Sequence, residues 1–133
     1  MIDHLDHLVL TTADEAACVA FYVDALGMRL HEFGPGGRKA LHFGNQKINL
    51  HRKGHEFEPR AHCALPGTQD LCFIASVPLD QVIDRLSAHG IALLLGPVVR
   101  TGATGQIRSV YVRDPDLNLI EISEIVTPGS APA

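Results

Sequence analysis

The sequence predicts an α+β fold made of two βαβββ modules. Three observations carry this expectation: the order of extended and helical runs occurs twice, each helical run stops at a glycine, and polar residues recur at matching places inside apolar strands. In the first half, Leu5 to Thr11 reads as a strand. Thr12-Ala13-Asp14-Glu15 resembles a capping box, in which the Thr hydroxyl accepts from the Glu amide. A helix follows to about Leu26, with Ala16, Val19, Ala20 and Val23 on one stripe and Gly27 as its left-handed stop. Three extended runs come next, near Arg29–Phe33, Lys39–Phe43 and Lys47–His51, separated by Gly34-Pro35-Gly36-Gly37 and Gly44-Asn45.

Residues 53–68 are polar and broken by Gly54, Pro59, Pro66 and Gly67, which predicts a linker between modules 1–52 and 69–126 of a single domain. The pattern then restarts. Asp70–Ala75 is a strand, Pro78 opens a helix with Leu79, Val82, Ile83 and Leu86 on its stripe, and Gly90 ends it. Extended runs follow near Ala92–Val99, Ile107–Arg113 and Asn118–Glu124. The tail 127–133, rich in Pro, Gly, Ser and Ala, is expected to be disordered. One offset carries His7 onto Asp70 and Gly27 onto Gly90. A longer one carries Ile48-Asn49-Leu50 onto Ile120-Glu121-Ile122.

Composition narrows the function classes. The chain is 46% hydrophobic and 20% charged, with net charge −4 and no run of Lys or Arg longer than two. That argues against nucleic-acid and membrane-surface partners. No apolar stretch approaches the roughly 20 residues needed to span a bilayer, and Met1-Ile2-Asp3-His4 does not resemble a signal peptide. Three cysteines without CxxC spacing predict free thiols and a cytoplasmic setting. Five phenylalanines, two tyrosines and no tryptophan make a base-stacking platform an unsuitable reading.

Alternation places Leu8 and Leu10 on one strand face and His7 on the other. Leu71 and Phe73 likewise oppose Asp70. Glu121 lies between Ile120 and Ile122, Asn49 is its repeat equivalent, and His51 faces the same way as Asn49. Isolated charges inside apolar strands cost several kcal/mol unless paired or bound to metal. His7, Asp70, Asn49, Glu121 and His51 therefore suggest an oxygen- and nitrogen-rich divalent site. A rival cluster, His51, His55, His62 and Cys63, fits no standard zinc spacing. Thr101-Gly102-Ala103-Thr104-Gly105 lacks the Lys-Ser/Thr ending of a phosphate loop and is expected to be a hairpin loop. Arg38, Lys39, Arg100 and Arg108 are candidates to hold an anionic substrate.

Three stretches resemble the vicinal-oxygen-chelate superfamily of glyoxalases, bleomycin-resistance proteins and extradiol dioxygenases. They are Asp6-His7-Leu8-Val9-Leu10, Phe21-Tyr22 with Leu26-Gly27-Met28, and Asp114-Pro115-Asp116-Leu117-Asn118-Leu119-Ile120-Glu121. Arg38–Leu41, Lys47–His51, Glu56–Pro59 and Arg100–Gly102 are similar to the glyoxalase-domain-containing protein five group. The resemblance implies a glyoxalase-like fold of paired, partly open mixed sheets with helices outside. It implies His7 and Glu121 as first and last ligands of a divalent ion (Ni, Zn, Mn or Fe). Asp70 stands where the family has a histidine and Asn49 where it has a glutamate, so either Asn49 or His51 completes the shell. Leu117 replaces the usual turn glycine.

The implied enzyme is a lyase or isomerase that chelates neighbouring oxygens of a small anionic substrate. Glu121 or Asp70 would move the proton, and Asn49, Arg38 and Arg100 would bind substrate. The alternatives are a metal-free sequestering protein of the bleomycin-binding kind and a ferrous extradiol dioxygenase. A homodimer with sites shared between chains is expected.

Overall fold

The computed structural model describes residues 1–127; the expected disordered tail lies, apart from Thr127, outside the described residues. The described residues form eight strands and two helices. They are β1 (His7–Thr12), α1 (Glu15–Val19, continuing as a π-helical stretch Ala20–Ala25), β2 (Arg29–Phe33), β3 (Arg38–Phe43), β4 (Gln46–Arg52), β5 (Asp70–Ile74), α2 (Leu79–Ala88), β6 (Leu95–Thr101), β7 (Gln106–Arg113) and β8 (Leu119–Ile125). Two four-stranded mixed sheets result, ordered β1-β4-β3-β2 and β5-β8-β7-β6. The chain divides into two compact units. One holds Met1–Gln69 with Pro115–Leu117, and the other holds Asp70–Asp114 and the described residues from Asn118 on. Residues 53–69 carry turns but no helix or strand and belong to the first unit.

Strand register makes the repeat explicit. In the first unit β1 runs parallel to β4 with His7 opposite Lys47 and Val9 opposite Asn49. In the second, β5 runs parallel to β8 with Asp70 opposite Leu119 and Cys72 opposite Glu121. The two offsets seen in sequence therefore superimpose one parallel pair on the other. A parallel pair cannot be closed by a tight hairpin, so each unit needs a crossover that includes its helix.

The inner faces follow from alternation. In the first sheet Leu10, Leu41, Ile48 and Leu50 are buried on one side. In the second, Val110, Val112, Ile120 and Ile122 are buried, and α2 packs on β7 and β8 through Leu79 and Leu86. At about 25 cal/mol per Å² of apolar surface, each fully buried aliphatic side chain contributes roughly 1.5–3 kcal/mol.

Two local expectations need correction. The buried stripe of α1 is Cys18, Phe21, Tyr22 and Ala25, whereas Ala16 and Ala20 are exposed and Val19 and Val23 half-buried. Both stripes have helical spacing, but two rings bury far more apolar surface than two alanines. Phe21 and Tyr22 also meet edge-to-face at 4.9 Å. The N-cap is Asp14, whose Oδ1 accepts from Ala17 N at 3.1 Å, not Thr12. Thr12 remains extended, paired with Arg52, and its hydroxyl accepts from Asp14 N at 3.2 Å. Glu15 then pairs with Lys39 instead of reaching back.

The stop of α2 follows the expected glycine geometry. Ile91 N donates to Leu86 O at 2.9 Å and Gly90 N to Ser87 O at 3.0 Å, with Gly90 at φ +70°. Strand β6 starts at Leu95, later than expected, and its register with β7 shifts between Leu95 and Val98. Pro97 there has no N–H for the ladder. The turn before β8 is clamped by buried Asp114, whose carboxylate accepts from Asn118 N at 2.9 Å and Asn118 Nδ2 at 2.8 Å. Within that turn Leu117 adopts φ +68° and is 68% exposed.

A left-handed non-glycine residue costs about 1–2 kcal/mol, part of which glycine forfeits through unfolded-state entropy. Leu117→Gly is expected to stabilise the protein by about 0.5–1 kcal/mol, read as a raised urea midpoint at unchanged m-value. Gly96→Ala is expected to do the reverse. Its φ is +109°, and a Cβ would lie 2.5 Å from Ser109 O and 3.0 Å from Val110 Cα. A loss of about 2 kcal/mol or more in the same assay is the predicted outcome.

Candidate functional site

Each sheet has a face opposite its buried apolar side, and His7, Asn49, His51, Asp70 and Glu121 stand there. On the first sheet the face carries His7, Val9 and Thr11 from β1, Lys47, Asn49 and His51 from β4, and Arg38, Ala40 and His42 from β3. His7 is exposed, and its Nδ1 donates to Asp6 Oδ2 at 2.7 Å. With Nδ1 as the donor to a carboxylate, Nε2 is the other ring nitrogen left for a ligand, the arrangement common in metal-binding histidines. The same bond holds the Asp6 carboxyl below its usual range.

Asn49 Oδ1 and His51 Nδ1 are buried and have no hydrogen-bond partner among the described residues. Buried polar atoms are nearly always satisfied, so each such orphan calls for an explanation. Burial, then the nearby Arg38 cation, lowers the His51 pKa and favours the neutral imidazole. Phe57, from the segment expected to be a linker, organises this corner. Its ring lies 4.1 Å from the Arg38 guanidinium carbon and meets His51 edge-on at 5.5 Å.

His7 and His51 are not neighbours. His7 pairs with Lys47 and His51 with Thr11, so they stand four rungs apart, about 13 Å along the strands. Asn49, paired with Val9, lies between them.

On the second sheet the corresponding face carries Asp70, Cys72 and Ile74 from β5, Leu119, Glu121 and Ser123 from β8, and Tyr111 and Ser109 from β7. Asp70 is exposed at the start of β5. Glu121 is half-buried, and its Oε2 is a third orphan among the described residues. It is flanked in register by Cys72 and Tyr111. Burial pushes the Cys72 thiol up; the Ser123 hydrogen bond opposes this and Glu121 adds to it. Ser109 and Ser123 are fully buried and bond at 2.7 Å, with Cys72 Sγ 3.4 Å from Ser123 Oγ. Arg100 donates through Nε to Tyr111 Oη at 3.1 Å and lies 5.6 Å from that ring.

Sequence reasoning did not find Phe57 or the Ser109–Ser123 pair. The alternation of β7 and β8 places both serines on this face, but nothing local predicts their registration. Lys39 and Arg108, expected as anion-binding candidates, lie instead on the apolar sides of their sheets. Lys39 pairs with Glu15, and Arg108 bonds Glu124 at 3.2 Å and sits 3.6 Å from Asp80. Glu124 in turn accepts from Leu79 N at 2.7 Å and so caps α2. Among the described residues no three His, Cys, Asp or Glu side chains form a metal-holding group, and this holds for the rival His51, His55, His62 and Cys63 cluster as for the expected set His7, His51, Asp70 and Glu121.

Residues 4–122 match the family model of the glyoxalase/bleomycin resistance protein/dioxygenase superfamily. The chain belongs to this superfamily. Virulence protein STM3117 of Salmonella typhimurium is 52% identical over 126 residues, covering 95% of this chain and 87% of that protein. Its crystal structure aligns with a TM-score of 0.91 over 95% of this chain and 99% of that one. Glyoxalase domain-containing protein RDO1 of Mycosarcoma maydis is 56% identical over 119 residues, covering 90% of this chain but only 66% of that longer protein. The crystal structure of a lactoylglutathione lyase from Agrobacterium tumefaciens aligns at TM-score 0.69 with 25% identity, covering 93% of this chain and 95% of that one.

The serine pair tests how the second face is built. Ser109→Ala leaves a fully buried hydroxyl without its 2.7 Å partner and is expected to cost about 1–3 kcal/mol. The Ser109→Ala/Ser123→Ala double variant is expected to lose less than the sum of the two single losses. Chemical denaturation of all four proteins in a double-mutant cycle measures this coupling.

Proposed function

We propose that this superfamily member is a divalent-metal-dependent enzyme of lyase or isomerase type acting on a small anionic substrate. The observation that carries the reading is the pair of orphaned buried oxygens, Asn49 Oδ1 and Glu121 Oε2, at repeat-equivalent positions of the two sheets. Hard oxygen donors together with a histidine nitrogen fit a divalent ion. The proposed donors are His7, Asp70 and Glu121, with Asn49 or His51 completing the shell. The four-rung gap to His7 favours Asn49 over His51. The same gap argues against a ferrous dioxygenase, which would need both histidines beside Glu121.

A divalent ion, when bound, supplies Lewis-acid polarisation of neighbouring substrate oxygens. The chain's own residues do the rest. Asp6 orients His7 through Nδ1. Glu121 or Asp70 takes the proton from a carbon next to a carbonyl. Arg38, over the Phe57 ring, and Arg100, bonded to Tyr111, offer guanidinium groups to substrate anions. The proposed assembly is a cytoplasmic homodimer in which the His7 half of one copy and the Asp70 half of a second copy furnish each site.

A second reading is a metal-free sequestering protein. It is favoured by the aromatic and cationic wall of Phe57, His51 and Arg38, which suits a flat anionic ligand.

Elemental analysis of purified wild type, His7→Ala and Glu121→Ala separates the two. About one divalent ion per chain in wild type, lost in both variants at unchanged fold, is the expected result. The metal's identity then distinguishes isomerase from dioxygenase chemistry. Wild type that stays metal-free after reconstitution overturns the enzyme reading in favour of the binding protein.

A further inference from the structure

Four basic side chains form one cross-strand row on the first sheet. His7 is opposite Lys47, Lys47 opposite His42, and His42 opposite Arg29. Registered neighbours project to the same side of a sheet, so all four leave the face away from Leu10, Leu41 and Ile48. The row crosses all four strands, about 14 Å at the usual interstrand spacing. His31 joins it, its ring 5.4 Å from that of His42. Lys47 Nζ lies 4.0 Å from the Phe33 ring centre, which positions the ammonium without neutralising it.

The balance of charge on this face differs from that on the other side of the sheets. Lys39 and Arg108, on the apolar sides, each have carboxylate partners. In the row, Asp6 is the neighbouring carboxylate, and it is bonded to His7 at 2.7 Å. Arg29, His42 and Lys47 make no ion pair with a carboxylate among the described residues. Arg29 and Lys47 flank His42 on its two neighbouring strands, so two cations repel each other across it. A bound anion would relieve that repulsion. Consistently, His42 sits below the ordinary imidazole range, through burial first and then through His31, Lys47 and Arg29.

We infer that Arg29, His42 and Lys47 form a binding site for a phosphate-type oxyanion, free or as the terminal group of a small organic molecule. A guanidinium, an imidazole and an ammonium from three adjacent strands offer more donors than the edge of one carboxylate can accept. A tetrahedral anion has outward oxygens for each. The site uses the first unit alone and needs no metal. That the anion belongs to the substrate rests on the function proposed above: His7 ends the row, and Asn49 lies two residues along β4 on the same face.

The test is an NMR titration of the metal-free full chain with inorganic phosphate and pyrophosphate, at ionic strength held constant with chloride. The expected result is a saturable shift of the His42 ring resonances while those of His55 stay fixed. Binding should weaken at least tenfold in Arg29→Gln and in Lys47→Gln, return in Lys47→Arg, and be unchanged in Arg60→Gln. No saturable His42 shift in correctly folded wild type overturns the inference. So do equal affinities in the glutamine variants, or an equal response to chloride alone. Because the readout contains no metal, a failed metal assay and a failed phosphate titration are separate outcomes.

Discussion

The parallel pairing of the first and fourth strands in each unit is the constraint on which the rest depends. β1 with β4, and β5 with β8, cannot be joined by a tight turn. The chain must leave through a helix, build two antiparallel strands, and return beside its starting point. That return sets the register, and register sets which residues share a face. A slip of one residue would turn Asn49 or Glu121 into the apolar side and bring Ile48 or Ile120 out. The candidate site is thus a consequence of strand closure rather than of any single loop.

The two units use one scaffold for different chemistry. At equivalent places the first has His7, Asn49 and His51, and the second has Asp70, Glu121 and Ser123. The first face gathers imidazoles and full cations against Phe33 and Phe57. The second places a carboxylate beside a thiol and a buried serine pair. Superfamily membership explains the shared scaffold, but fold alone does not assign a reaction. The orphaned oxygens and the uncompensated cations are properties of this chain's own side chains, and the functional reading rests on them.

The helix stripe illustrates where local pattern reaches its limit. Two stripes on α1 have the same helical spacing, and periodicity cannot choose between them. Ring area decides, because Phe21 and Tyr22 gain most by burial. Equally, the hydroxyl of Thr12 and the carboxylate of Asp14 are both competent caps. The choice falls to Asp14 because β1 extends through Thr12 to pair with Arg52. In both cases a longer-range contact selects among locally equivalent options.

By itself the sequence determined the element order, the repeat, the glycine stops of both helices and the polar positions within apolar strands. These are legible because alternation and helical period are local properties of the chain. Tertiary structure alone decided that His7 and His51 stand four rungs apart, that Phe57 holds Arg38, that Ser109 meets Ser123, and that Lys39 and Arg108 are already paired. It also lined up His7, Lys47, His42 and Arg29 across four strands. Each of these depends on register between distant segments, and no single segment carries that information.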